Sequence, residues 1–350
     1  MMMRLLPTAA IHASSSLQSP SPSPPPTSTA PQSTTSPLLC PHPAVILPGL
    51  GNNTGDYQGL ASALKSRGIP SVVVASVSRL DWLRNAAGLL DPNYWRGTLS
   101  PRPVLDWYLR RVESAVSEAK RLAQGGSLSL IGHSAGGWLA RLYMEEFGDS
   151  DISLLLTLGT PHLYDFVTAF RHLLYYVFFR LGHCFFPLFG WPPPKRVQGV
   201  IDQTRGLLNY VEKNCSPAVY TTELKYVCLA GRYIKGARLI GNSNLSQDSS
   251  TLDGNNEDET ESDDAINKAK LTPAASTLRA RFIGQGYKQV CGRADVWGDG
   301  VVPEISAHLE GALNISLEGV YHSPVGSDDG QRPWYGSPAV LDLWIHHLLD

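Results

Sequence analysis

The chain lacks any run of 18 uncharged apolar residues, which excludes a conventional membrane-spanning helix. It has few cysteines: Cys40, Cys184, Cys215, Cys228 and Cys291. They are odd in number and show no Cys-x-x-Cys spacing, so they support neither a zinc site nor a disulfide framework. Charge of one sign is also missing, because 29 Lys+Arg oppose 31 Asp+Glu for a formal net charge of −2. That balance excludes a polybasic nucleic-acid binder of the usual kind. Acidic residues are absent from the N-terminus until Asp56. What is present is a hydrophobic fraction of 43%, with eight Trp and fourteen Tyr, enough to bury a large core.

Length alone, 350 residues, suggests two domains at about 150 residues each. Setting aside the segments unsuited to packing leaves roughly 270 residues, a normal size for one α/β domain. Residues 1–40 are the first such segment. Ser, Thr and Pro fill 22 of the 40 positions, and Arg4 is the only strong base. Such a stretch reads as an organelle transit peptide or as a disordered Pro/Ser tail. If it is an address, the sparse basic residues favour chloroplast over mitochondrion; without one the protein stays in the cytoplasm. A secretory signal is disfavoured, because no apolar region follows Leu5-Leu6. The second segment spans about 243–265, where residues 253–264 hold seven acids and no apolar residue, so a disordered loop is expected.

Residues 41–350 are therefore read as a single domain. Strands are expected at Ala44–Leu47, Ser71–Ala75, Ser127–Ile131, Ile152–Leu158, Lys225–Ala230 and Leu313–Leu317. Helical spacing covers Tyr57–Arg67, Val104–Leu122 and Ala135–Phe147, with Val104, Leu105, Tyr108, Leu109, Val112 and Val116 on one face of the second. Strands alternating with helices predict an α/β fold: a mostly parallel central sheet with helices on both faces.

One segment breaks the rhythm. Seven of the nine Phe lie between Phe166 and Phe189, within an aromatic-rich insertion at 163–191 that also holds Tyr164, Tyr175, Tyr176 and Trp191. Three readings fit it. It is a lid or membrane dock with Arg171, Arg180 and His183 facing headgroups, a buried helical cap over an acyl pocket, or a translated intron.

The strongest chemical signal is Gly132-His133-Ser134-Ala135-Gly136, placed between a strand and a helix. A Ser at the tip of so sharp a turn needs neighbours without bulk two residues away, and glycine stands at both positions. The helix beginning at Ala135 presents its positive end to the Ser134 oxygen. Serine is a poor nucleophile alone and needs a base oriented by a carboxylate, here in the chain order Ser, acid, His. Asp299 lies in Trp297-Gly298-Asp299-Gly300-Val301-Val302-Pro303, and His322 follows the last strand in Gly319-Val320-Tyr321-His322-Ser323. Asp295 is the rival acid, although no turn there would aim it. His308 reads as helical, and His162 after Gly159-Thr160-Pro161 as a residue lining the site. Oxyanion donors are expected at the N–H of Ala135 and of Leu50, in the turn Pro48-Gly49-Leu50-Gly51. No cofactor or metal is called for.

Together LPGLG, IGHSAGG, LGTPH, GDGVVP and GVYHS resemble the lipase/esterase branch of the α/β-hydrolase superfamily. The resemblance is greatest to plant and cyanobacterial lipase-like proteins and to the GPI inositol-deacylase-like serine esterases. It covers roughly residues 44–162 and 192–350. It implies an eight-stranded, mostly parallel sheet and hydrolysis of an acyl-lipid ester through an acyl-enzyme, with Ser134 as nucleophile, Asp299 as acid, His322 as base, and Leu50 and Ala135 as oxyanion donors. Pro48 departs from the pattern, since many relatives have His there, and so does the insertion at 163–191. Transfer of the acyl group to an alcohol, thioester hydrolysis, and a catalytically silent binding protein on the same scaffold are the alternatives.

Overall fold

The computed structural model describes residues 41–124, 126–162, 204–239 and 273–349, with side chains of the last stretch described from Leu278. The N-terminal tail, the insertion at 163–191 and the acidic segment at about 243–265 lie outside the described residues.

Six strands form a wholly parallel sheet in the order β2-β1-β3-β4-β5-β8. They are β1 Ala44–Leu47, β2 Val72–Val74, β3 Leu128–His133, β4 Ile152–Leu158, β5 Lys225–Arg232 and β8 Leu313–Glu318. Every residue of β1 is buried, as a strand packed on both faces must be. Its side chains alternate: Val45 and Leu47 join one core, Ala44 and Ile46 the other. The first core is covered by α3 (Asp106–Ala123), α4 (Ala135–Phe147) and α5 (Leu207–Asn214). The second is covered by α1 (Gln58–Ser66) and α8 (Pro338–Trp344). The 19-residue α6 (Pro273–Cys291) and the short helices α2 (Pro92–Arg96), α7 (Glu304–Ala307) and α9 (His346–Leu349) complete the described α-helices.

Where the resemblance implies eight strands, the described residues place six in the main sheet. The other two, β6 (Ile234–Lys235) and β7 (Trp297–Gly298), pair with each other in antiparallel fashion. Their two-residue length leaves no edge long enough to extend a parallel ladder, but it sets the chain direction immediately before Asp299. Boundaries also moved. β3 runs two residues past Ile131 to His133, and α3 begins at Asp106 because the Leu105 amide already bonds the Pro101 carbonyl in a turn. All six apolar residues expected on one face of that helix are buried.

The first 3-10 turn, Thr54–Tyr57, precedes α1 and buries Tyr57. A longer 3-10 segment at Arg79–Leu90 opens with a reciprocal cap between Ser78 and Asp81. Near the C-terminus Trp344 is fully buried and donates its indole N–H to the Tyr335 carbonyl over 2.9 Å. Truncating so large a buried ring should cost about 3–5 kcal/mol. We expect Trp344→Ala to lower the urea midpoint accordingly at unchanged m; a change within about 0.5 kcal/mol would show that the Trp344 ring is dispensable to the core.

Candidate active site

β3 delivers the chain to Ser134 and α4 carries it away. Ser134 itself adopts φ 51 and ψ −124, a left-handed region that is costly for a side-chain-bearing residue. The strain is held by its surroundings: its N–H donates to the Leu158 carbonyl at 2.9 Å, and its carbonyl accepts from Gly137 N–H at 3.1 Å. Both flanking glycines are forced by close approach. A Cβ on Gly132 would lie 2.3 Å from the Gly137 Cα, and one on Gly136 would lie 2.2 Å from the Leu47 carbonyl oxygen.

The structure brings Ser134, Asp299 and His322 together. His322 Nε2 lies 3.1 Å from Ser134 Oγ, and His322 Nδ1 lies 2.7 Å from Asp299 Oδ2. Asp299 is 1% exposed and His322 6%. The carboxylate is surrounded by donors. Oδ1 accepts the N–H groups of Val301 at 3.0 Å and Val302 at 2.7 Å, and Oδ2 also accepts the Tyr335 hydroxyl at 2.9 Å. An ionised Asp299 accepts only, so Nδ1 of His322 carries the proton and Nε2 is left to accept from Ser134. The loops are tied as well: His322 N–H donates to the Asp299 carbonyl at 3.0 Å.

Asp295 does not take part. Its side chain is 42% exposed and pairs with Arg238 at 3.1 Å. His162 also departs from expectation. It is fully buried, with Nε2 against Thr157 Oγ1 at 3.2 Å and Cys228 Sγ at 3.6 Å, so it does not line an open site. His308 lies just beyond α7 rather than in a helix. Leu50 has an exposed side chain, and its turn passes beside Ser134: a Cβ on Gly49 would lie 2.8 Å from Ser134 Cβ. Ala135 is the first residue of α4. Among the described residues, no three His, Cys, Asp or Glu side chains cluster as metal ligands would.

Three buried residues around the site went unread in the sequence: Tyr335, Tyr57 and the ring of His133. Tyr335 accepts Gly231 N–H at 2.8 Å while donating to Asp299, and burial raises its hydroxyl well above the usual phenol range, so it stays a donor.

A Ser on a strand–turn–helix elbow, an Asp on a later loop and a His past the last strand, beside a parallel sheet with helices on both faces, have the arrangement of the α/β-hydrolase fold. A family model described as PGAP1-like alpha/beta domain matches residues 103–186. No curated protein matches the chain at a significant level. Among solved structures, the chain is similar to a mature lipase of Bacillus licheniformis, at 16% identity over 90% of this chain and 94% of that one, with a TM-score of 0.42. It is similar to the monoacylglycerol lipase of Paleococcus ferrophilus at 14% identity over 88% and 93%, TM-score 0.35. A soluble variant of monoglyceride lipase from Saccharomyces cerevisiae is similar at 15% identity over 88% and 86%, TM-score 0.35.

Burial lowers both His133 and His162 from 6.5 to about 3. Between those values the unfolded chain binds protons that the folded chain does not. Their contribution to stability is therefore complete above about pH 6.5 and is lost as pH falls toward about 3. The loss approaches about 1.4 kcal/mol per pH unit for each histidine. We expect denaturant-derived stability to fall between about pH 6 and about pH 5 with a slope that rises toward about two protons. A flat profile across that window would contradict burial of two neutral imidazoles.

Proposed function

We propose that the protein is a serine hydrolase that cleaves a carboxylic ester of an acyl lipid through an acyl-enzyme. The observation that supports it is the hydrogen-bonded line from Ser134 Oγ to His322 Nε2 at 3.1 Å and from His322 Nδ1 to Asp299 Oδ2 at 2.7 Å. In this reading Nε2 takes the Ser134 proton as Oγ attacks the ester carbonyl. The N–H groups of Leu50 and Ala135 receive the negative charge that develops on the carbonyl oxygen, the second from the positive end of α4. Asp299 holds the Nδ1 proton in place and stabilises the imidazolium. His322 then hands its proton to the leaving alcohol. A water deprotonated by the same Nε2 attacks the acyl-serine, releasing the acid and restoring Ser134.

The lipid character of the substrate rests on the family resemblance and on the seven Phe of 163–191, a composition suited to peripheral contact with a lipid surface. Delivery to the chloroplast is proposed on the composition of residues 1–40.

Ser134→Ala should abolish turnover of p-nitrophenyl esters while leaving the circular dichroism spectrum unchanged, since a hydroxyl is lost and little packing with it. Retained turnover in that variant would reject the hydrolase reading.

The acid is tested separately. Asp299→Asn should lower kcat by about 10⁴-fold, because the amide donates where the carboxylate accepted and His322 is left in the wrong tautomer. Asp295→Asn should stay within about twofold of the parent protein, as expected for an exposed ion pair. The reverse pattern of rates would reassign the acid.

A further inference from the structure

The turn after β1, the nucleophile elbow and the His322 loop meet at one buried imidazole, that of His133. Its Nδ1 lies 2.7 Å from the Tyr57 hydroxyl oxygen, and its Nε2 lies 2.8 Å from the carbonyl oxygen of His322. The same Tyr57 oxygen accepts the N–H of Gly49 at 2.9 Å. His133 is 1% exposed and Tyr57 fully buried, so water cannot substitute for any of these partners.

The protons in this chain can be arranged in one way. A carbonyl only accepts, so Nε2 must carry a hydrogen. Burial holds the ring neutral, with its pKa down at about 3, which leaves Nδ1 as an acceptor. Tyr57 therefore donates its O–H to Nδ1 and accepts from Gly49 through its oxygen lone pair. Burial also pushes the Tyr57 hydroxyl above the usual phenol range, so its proton stays. Packing is close on the same side, since a Cβ on Gly49 would lie 3.0 Å from His133 Nδ1.

We propose that His133 is a positioning residue with two separable arms. Through Tyr57 it fixes Gly49, and with it the Leu50 N–H assigned to the oxyanion; through Nε2–H it fixes the His322 backbone, and with it the base. The kinetic consequences rest on the serine-hydrolase reading, whereas the tautomer does not. An apolar ring in place of His133 would fill the space but leave the buried His322 carbonyl without this donor and the Tyr57 O–H without its acceptor.

Three substitutions divide the arms. Tyr57→Phe removes one hydroxyl and keeps the ring. His133→Asn offers an acceptor where Nδ1 stood and nothing at Nε2, so it keeps the oxyanion arm. His133→Gln extends a donor to the Nε2 position and leaves Tyr57 without its acceptor, so it keeps the base arm. The readout is kcat/KM for a p-nitrophenyl ester divided by that for its thionoester, because sulfur is a poor acceptor for the oxyanion donors. Tyr57→Phe and His133→Gln should lower this ratio roughly tenfold or more, with KM little changed. His133→Asn should slow both esters alike and keep the ratio. Lowered melting temperatures with the ratio and kcat intact in all three variants would overturn the proposal and leave His133 a packing residue. In the unmodified protein, ¹⁵N shifts of the His133 ring should report a neutral imidazole with its hydrogen on Nε2 throughout the neutral range. A hydrogen on Nδ1, or a charged ring, would overturn the arrangement even if no ester is turned over, so this failure is distinct from failure of the hydrolase reading.

Discussion

A carboxylate cannot be taken out of water unless donors replace its hydration, and much of the architecture around Asp299 serves that requirement. Two backbone N–H groups, the Tyr335 hydroxyl and His322 Nδ1 converge on its two oxygens. The tight turn Gly298-Asp299-Gly300-Val301-Val302 exists to bring the N–H groups of Val301 and Val302 back onto the side chain that precedes them. The two-residue pairing of β6 with β7 aims that turn. Tyr335 enters from the far end of the chain and is itself held by Gly231 N–H at the end of β5. A His beside so fully satisfied a carboxylate has its tautomer decided before any substrate arrives.

The parallel sheet makes the convergence possible. In such a sheet every strand delivers its following loop to the same edge, so residues remote in sequence become neighbours there. β1 supplies the Gly49–Leu50 turn, β3 the elbow and β8 the His322 loop, while Asp299 follows β7 of the separate antiparallel pair. Ser134 and His322 are 188 positions apart in the chain yet 3.1 Å apart in space. The strain at Ser134 is affordable because β3 and α4 are both anchored in the larger core, through Leu128 and Leu130 on one side and Leu139 and Leu142 on the other.

Much of this was legible in the residues because it is local. A Gly-x-Ser-x-Gly turn, Gly-flanked Asp299 and a His after a β-rich stretch each announce themselves within a few positions, and so do strands as uniformly apolar as Ala44–Leu47. Turn chemistry favours Asp299 over Asp295 as the acid, and in the structure the first is buried against His322 while the second is exposed beside Arg238. What stayed hidden depends on long-range contact. Tyr57 meets His133 across 76 positions and Tyr335 meets Asp299 across 36, and no short motif marks a tyrosine as a partner rather than as core. The 3-10 segment at Arg79–Leu90 and helix α6, with Gly284 and Gly286 inside it, lack the clean periodicity on which a sequence reading depends.

The central claim is that one hydroxyl, Ser134 Oγ, is activated by His322. A fluorophosphonate forms a stable bond only with a serine so activated, and peptide mass spectrometry locates the adduct. The account predicts a single adduct on the peptide containing Gly132-His133-Ser134-Ala135-Gly136, with its formation strongly slowed in a His322→Gln variant. An adduct on another serine, or no adduct on the folded protein, would contradict it.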